Sequence, residues 1–426
     1  MSVLVRTEGR ETAAGAIRPQ AGLSTASRVA AVTVLTSLPV FLPGAANGLI
    51  CAELGWSPVR MGAVLAVYWL ASLSGAFVSR RAALPPVVER TLSIALFATC
   101  LGLLTAAVAP AVGLWISSAV GGYAYGYTQP HTNALLMRRC APRLRAFAFG
   151  LKQAAVPTAT LLASVAMPML AGAGGWRLVF AGTAVLCGAG GVFLVRQGMR
   201  HGIRPGHSGA RHPAATRDRG APLRVGTFLV ALSCAGFFGA MVGNGLGGFL
   251  VLALTTRGVS LSAAGAVATA GAALNIAVRL AMGWLVGRVP QVAWAALTGL
   301  FLTGAAGTAL LTRPGLGAIT VGALLAYGGG WGWAGLLHYA IALPYAGQEQ
   351  RATAYSQMGV SLGAATGPLM CGLLFQLGPD AAWWALTAAG SAAGACVLVA
   401  RGHVGPRPDA GVSPARRRPR DSPRPA

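Results

Sequence analysis

The sequence predicts an all-α membrane protein, with twelve transmembrane helices in two similar six-helix bundles and both termini in the cytoplasm. Of its 426 residues, 55% are hydrophobic and only 10% are charged, whereas soluble domains carry about 25% charged residues. Apolar runs of about 20 residues, the length that crosses a bilayer, recur twelve times along the chain. Arginines cluster in alternate gaps between these runs. Together these three observations predict the fold class.

The twelve apolar runs, which we call spans 1 to 12, divide into two sets of six. A polar, basic gap at 197–225 is predicted to be a cytoplasmic linker between them. The sequence therefore predicts an N-terminal tail at 1–27, a first bundle at 28–196, a second bundle at 226–401 and a disordered basic tail at 402–426. The spans are predicted at 29–50, 59–79, 91–110, 112–136, 146–172, 176–196, 226–254, 262–286, 291–311, 316–343, 352–376 and 381–400.

Arginine placement predicts the topology. Most arginines lie in the two tails, in the linker and in the gaps after spans 2 and 4, while the other gaps hold isolated ones. Cytoplasmic loops carry an excess of basic residues, so both termini and the linker are predicted to be cytoplasmic. The first 27 residues lack the apolar segment of a cleaved signal peptide. Span 1 is therefore expected to direct insertion, into the inner (plasma) membrane of a bacterium.

Composition also argues against several other classes of protein. A net charge of +24 would suggest nucleic-acid binding in a soluble protein, but here the arginines follow the membrane topology, so the expected partners are the lipid bilayer and a small molecule. The seven cysteines form no CxxC or Cys/His cluster, so neither a zinc site nor any other cofactor is expected. A membrane-embedded enzyme would need converging groups such as paired carboxylates, and a receptor would add a signalling domain. Both remain distant alternatives.

Two short segments recur at nearly the same offset, which indicates an internal duplication. The segment from Gly75 to Arg80 after span 2 resembles that from Gly283 to Arg288 after span 8, 208 residues later. Arg145-Ala-Phe-Ala-Phe, entering span 5, resembles Arg351-Ala-Thr-Ala-Tyr, entering span 11, at an offset of 206. Internal repeats with a binding site between them are typical of transporters.

These segments, with Gly175-Trp176-Arg177 at the start of span 6 and Gly367-Pro368 in span 11, resemble the major facilitator superfamily over about residues 28–401. Members carry a Gly-x-x-x-Asp-Arg gating motif after helix 2 and a weaker copy after helix 8. The aspartate, which in the family helps to latch the outward-facing state, is missing from both copies here. The matching gating residues are Gly75, Arg80, Arg81, Gly283 and Arg288.

The resemblance implies a secondary carrier that functions as a monomer, by alternating access of two bundles around a midplane site. Spans 1, 4, 7 and 10 would line a central cavity, and spans 2, 5, 8 and 11 would form the seam between the bundles. No ATP-binding motif occurs, so a gradient is expected to supply the energy. A drug or metabolite exporter of the same fold is the alternative, although proton-driven exporters commonly use buried acids.

Two ionisable residues lie deep in the predicted spans, Lys152 in span 5 and Arg279 in span 8, and no acid lies at similar depth. Such residues are costly in a bilayer and mark function by default, so the pair predicts a site for an organic or inorganic anion. Asn275 shares a helix face with Arg279, and this pattern resembles helix 8 of organic-anion and monocarboxylate carriers; cyanate/nitrate-type carriers are also similar. The alternatives are a structural arginine bonded to backbone carbonyls and a lysine that snorkels to the interface. Gln153, beside Lys152, is a further candidate contact.

His131 in span 4 and His338 in span 10 are 207 residues apart, the offset of the repeat. Histidine titrates in the physiological range, so both are candidates to carry a coupled proton in a symport or exchange mechanism. Packed histidines bonded to a neighbour are the alternative. Glu53, near the end of span 1, is expected to be a solvated loop residue.

Polar and aromatic side chains elsewhere in the spans are further candidates to contact the substrate. For each of them, packing or hydrogen bonding between helices is an equally good explanation. The glycine-rich segment from Gly328 to Trp333 predicts close helix contact and bending in span 10. The additional candidates are Asn47, Tyr127, Asn244 and Trp331.

Overall fold

The structure is a computed structural model that describes residues 19–82, 88–202, 223, 225–377 and 381–401. These residues are almost entirely helical and contain no strand. The α-helices are α1 Pro19–Ala45, α2 Asn47–Leu54, α3 Pro58–Arg81, α4 Val88–Val108, α5 Pro110–Arg139, α6 Pro142–Gly202, α7 Thr227–Thr256, α8 Leu261–Arg288, α9 Ala293–Leu310, α10 Leu316–Leu325, α11 Ala334–Ala342, α12 Glu349–Leu377 and α13 Ala381–Arg401, with a 3-10 turn at Pro290–Val292 and a π-helix at Ala326–Gly330.

The helices match the predicted spans with three differences. Span 1 is divided into α1 and α2. Spans 5 and 6 both lie in α6, where Gly175 has a φ of +70°; because this left-handed conformation does not continue a right-handed helix, the regular geometry is interrupted between the two spans. Span 10 is divided into α10, the π-helix and α11.

The ends of the predicted bundles also differ from the sequence prediction. Helix α1 begins at Pro19, inside the predicted N-terminal tail, and α6 continues to Gly202, inside the predicted linker. The rest of both tails and most of the linker lie outside the described residues.

Nine helices in the described part of the chain are long and apolar enough to cross a membrane. They correspond to spans 1–3, 6–9, 11 and 12. Spans 4, 5 and 10 do not reach the same length and hydropathy, because they are polar or broken. These three spans carry Lys152 and both candidate histidines. The count of twelve therefore remains a prediction.

Two helix pairs make the most extensive contacts between the N-terminal and C-terminal parts of the chain: α3 with α12, and α6 with α8. We call the end of the helices that carries Arg80, Arg139 and Arg288 the arginine-rich end; it is the end predicted to be cytoplasmic. Near it, α6 crosses α8 and α11 so closely that a Cβ on Gly335 would lie 2.9 Å from the Cα of Gly150. The seam is therefore closed by backbone contact.

Polar contacts tie each end of the N-terminal part together. At the arginine-rich end, burial raises the pKa of the Cys140 thiol, so it stays protonated and donates to the carbonyl of Gly22 at 3.5 Å. At the opposite end, Glu53 accepts a hydrogen bond from Trp176 Nε1 at 2.7 Å and pairs with Arg177. Glu53 is exposed to solvent, as expected, but it lies in α2 rather than in a loop, and its carboxylate joins α2 to α6.

Candidate functional site

Two cations lie buried where α6 meets α8. The side chain of Lys152 is 0% exposed and that of Arg279 is 2% exposed. A guanidinium N–H of Arg279 donates to the main-chain oxygen of Gln153, the residue after Lys152. The structure therefore places Arg279 against the main chain next to Lys152, the other cation singled out by the sequence. We call them the cation pair.

Lys152 points inward rather than toward the membrane surface. Its ammonium donates to the main-chain oxygen of Gln129 at 3.0 Å and to the side-chain oxygen of Asn133. Both partners belong to α5 and are neutral, so they solvate the ammonium without cancelling its charge. The side-chain oxygen of Gln129 and the side-chain nitrogen of Asn133 have no partner, which leaves a free acceptor and a free donor close to the cation.

Span 10 breaks beside Arg279. The α-helix α10 ends at Leu325 and is followed by the π-helix, which ends at Gly330. A turn then leads to α11, which begins at Ala334. The break falls on the glycine-rich segment, as the sequence predicts. It releases carbonyls that a regular helix would satisfy, and buried carbonyls need partners. Arg279 Nη2 donates to Trp331 O at 2.5 Å, and Asn275 Nδ2 donates to Tyr327 O.

His338 starts a chain of buried polar contacts that reaches from span 10 to the other half of the molecule. Its Nδ1 lies 2.7 Å from the carbonyl of Ala334, and its Nε2 lies 3.3 Å from Gln357 Oε1. Gln357 donates to the Ser361 hydroxyl at 3.2 Å, which lies 2.9 Å from the Ser72 hydroxyl. α11, which carries His338, packs on α6, which carries Lys152, so this histidine belongs to the same buried region.

His131 lies in a second polar cluster, at the arginine-rich end. The amide nitrogen of Gln350, at the start of α12, donates to Ser79 O at 2.8 Å and to Ala82 O at 3.0 Å. The same nitrogen lies 3.4 Å from His131 Nε2. We call this group the Gln350 latch. It joins the C-terminus of α3 to α12, and it occupies the region where the superfamily places the missing aspartate.

The gating residues divide between the two copies of the motif. Gly75 packs against the backbone of α5, whereas Gly283 packs against Ala146 and Phe147 of α6. The arginines rest on aromatic rings of their own helices. Arg80 and Arg81 each lie 4.7 Å from the Phe77 ring, and Arg288 lies 3.9 Å from the Trp284 ring.

Three of the remaining candidates lie away from the cation pair. Asn47 lines a cavity of about 390 Å³ at the end opposite the arginine-rich end. Asn244 is buried and donates to Ala240 O of its own helix at 2.9 Å. Tyr127 is half-buried and stacks on Tyr123. Trp331 is buried, and its ring lies 5.9 Å from the Arg279 guanidinium.

Sequence reasoning did not identify Gln350 or Ser361 as site residues. Both act through contacts between chain segments that are far apart in sequence, and two acceptors of Gln350 are main-chain oxygens. Glu349, which is buried at the start of α12, was likewise not among the predicted site residues. An acid in a first helical turn was the available signal, and it points to helix capping.

The amide of Gln350 makes a direct test of the latch possible. We expect Gln350→Ala to raise hydrogen exchange in residues 76–82 about tenfold, because it removes the buried donor that binds the carbonyls of Ser79 and Ala82. Mass spectrometry of the purified protein would measure this. Gln197→Ala is a control, since Gln197 accepts from Arg28 within the N-terminal part. Unchanged exchange at 76–82 in Gln350→Ala would contradict the latch.

The helical fold, the apolar spans and the buried ionisable groups define a multi-pass membrane protein of the transporter class. The sequence profile of the Major Facilitator Superfamily matches residues 29–356. The chain belongs to this superfamily, which confirms the resemblance. Members are transporters rather than enzymes, so the protein is a secondary transporter for a small molecule.

The fold also matches solved structures. In the crystal structure of the human organic anion transporter MFSD10 (TETRAN), the match has a TM-score of 0.64 and 16% sequence identity, and it covers 88% of this chain and 99% of that chain. At this identity the likeness concerns the fold alone. A search of curated protein sequences found no match.

Proposed function

We propose that the protein carries a small organic or inorganic anion by proton symport or exchange, as a monomer in the inner membrane of a bacterium. The predicted bundles, 28–196 and 226–401, would rock around the cation pair, with the arginine-rich end in the cytoplasm. The observation that supports this proposal is the charge balance inside the molecule. Two cations are buried at the seam, and no carboxylate in the described part of the chain pairs with either.

The described residues include three carboxylates, and all lie toward the helix ends. Glu53 pairs with Arg177 at one end, and Glu89 pairs with Arg139 at 3.6 Å at the other. Glu349 begins α12. Because buried charges are normally paired, a cation pair surrounded by neutral groups favours an anionic ligand over a cationic one. The same distribution disfavours proton-driven drug export through a buried acid.

Arg279 already holds two oxygens in the manner expected for a carboxylate. One terminal nitrogen binds Gln153 O and the other binds Trp331 O, while Nε has no partner. Two parallel N–H groups fit the two oxygens of a carboxylate. We infer that the two carbonyls accept from the guanidinium N–H groups of Arg279 when no substrate is present. The anion would then replace one or both of these carbonyls. This combines the structural and the ligand-binding roles of Arg279.

Proton coupling follows from the position of His338. Burial and the two nearby cations would both oppose a positive charge on this ring, and a bound anion would offset the part that is due to the cations. Anion and proton would therefore bind more tightly together than apart, and such coupling is reciprocal. The proton also offsets the inside-negative potential, which resists anion entry by about 2.3 kcal/mol per charge per 100 mV.

His131 would connect protonation with the closure of the arginine-rich end. Gln350 donates both amide hydrogens to main-chain carbonyls, and its nitrogen lies 3.4 Å from His131 Nε2. Because this nitrogen cannot accept a hydrogen bond, the closed state favours a His131 Nε2 that carries no proton. A proton on Nε2 would place donor against donor. Protonated His131 would therefore oppose the Gln350 latch and favour opening at this end.

A solute screen with the purified protein in liposomes tests the proposal. We expect uptake of an anionic solute that rises when the outside is more acidic than the inside. Liposomes without protein give the background, and His338→Gln should retain uptake but lose much of the response to the pH gradient. Preferential transport of lipophilic cations would overturn the anion proposal and favour the exporter.

A further inference from the structure

The break in span 10 is matched by a pair of donors on span 8. Asn275 and Arg279 are four residues apart on α8, and the oxygens they hold, those of Tyr327 and Trp331, are also four residues apart. Residues at this spacing share one helix face. The two segments therefore face each other in register, and each freed carbonyl meets a buried donor. Asn275 is wholly buried and its oxygen has no partner, so its one bond goes to Tyr327.

The indole of Trp331 contacts both Arg279 and α7, a helix that contributes to the lining of the cavity. Its ring packs 5.8 Å from the ring of Phe41, and it faces Gly243 and Gly247 of α7, where added Cβ atoms would meet the indole. The next residue, Gly248, lines the cavity. The Arg279 guanidinium lies 5.9 Å from the same ring.

The order of contacts along α8 agrees with this arrangement. Leu261 and Gly265 line the cavity, Gly271 faces the Tyr327 ring, and Asn275 and Arg279 follow. At 1.5 Å per residue, about 21 Å separates Gly265 from Arg279. The Tyr327 ring therefore packs on α8 between the residues that line the cavity and the cation pair.

We propose that Asn275 and Arg279 act as a clamp that holds the broken segment of span 10 in place, with Trp331 as a plug between the cavity and the cation pair. Asn275 is then a positioning residue and not a substrate contact. The clamp is formed by the protein alone, so this part of the proposal does not depend on which solute is transported. Its consequence for transport rests on the proposed function: an anion that takes Arg279 from Trp331 O would release the plug.

The clamp is tested by hydrogen exchange without any substrate. We expect Asn275→Ala to speed exchange in residues 326–334 about tenfold, because Tyr327 O loses its buried donor. Asn244→Ala is the matched control, since this buried asparagine also donates to a carbonyl, but to Ala240 of its own helix. Exchange in 326–334 that is the same in wild type and Asn275→Ala would overturn the clamp, whatever the protein transports.

The plug is tested by thiol labelling in a chain whose seven native cysteines are replaced by alanine. A Gln153→Cys probe should react slowly with a water-soluble reagent while Trp331 is present, and at least about tenfold faster with Trp331→Ala. Trp383→Ala is the control, because this buried indole packs on Gly245 of α7, the helix that Trp331 also contacts. Equal labelling with and without Trp331, or equal acceleration by both substitutions, would overturn the plug. If the clamp and plug tests both give the expected results but the wild-type protein transports no anion, only the proposed function is contradicted.

Discussion

Arg279→Ala should lower kcat/KM for the transported anion by at least about 30-fold while leaving the amount of inserted protein unchanged. Removing one partner of a buried, hydrogen-bonded charge typically costs about 2–5 kcal/mol. Here the substitution removes the fork that would bind the anion and leaves the carbonyls of Gln153 and Trp331 without a donor. Initial uptake rates into liposomes, normalised to reconstituted protein, would measure the effect.

Two further variants make this result specific. Arg279→Lys keeps the charge but loses the two-pronged geometry, so its uptake should fall between that of wild type and Arg279→Ala. Arg313→Ala removes an exposed arginine from the loop before α10 and should transport normally. Wild-type uptake by Arg279→Ala would refute the anion site.

Gly150→Leu should prevent the arginine-rich end from closing and reduce transport about five- to 150-fold. A Cβ at this position would lie 2.5 Å from Arg279 O, and α11 covers the same glycine at Gly335. Overpacking of this kind costs about 1–3 kcal/mol, and the cost falls on the closed state because the helices must separate to admit the side chain. A seam held apart completes fewer cycles of alternating access.

Uptake rate and hydrogen exchange in residues 279–288 would measure this effect together. Gly182→Leu is the matched control, since Gly182 lies in the same helix but faces open space. We expect slower uptake and faster exchange only in Gly150→Leu. Normal uptake by that variant would show that the contact between α6 and α8 does not limit the cycle.

Much of the fold follows from the sequence because the bilayer imposes a simple rule on length and polarity. Nine of the twelve predicted spans meet that rule in the described helices. The rest deviate for local reasons, such as the left-handed Gly175 inside α6. The broken span 10 was predictable from its glycines, which lower the cost of leaving the helix.

The site was predictable only in part. Lys152 and Arg279 stood out because few ionisable residues occur at depth, and the structure does bury them together. Their partners are main-chain oxygens and neutral amides, which no pattern of side chains reveals. The role of Gln350 could not be predicted for the same reason, because it depends on a contact with the main chain of α3, about 270 residues earlier in the chain.

The Gln350 latch uses an amide and two main-chain oxygens, so dissolved ions have no net charge in these contacts to screen. A carrier closed by a carboxylate and an arginine would loosen as ionic strength rises. The Gln350 latch should hold equally well from dilute to salty surroundings, and protonation of His131 would weaken it.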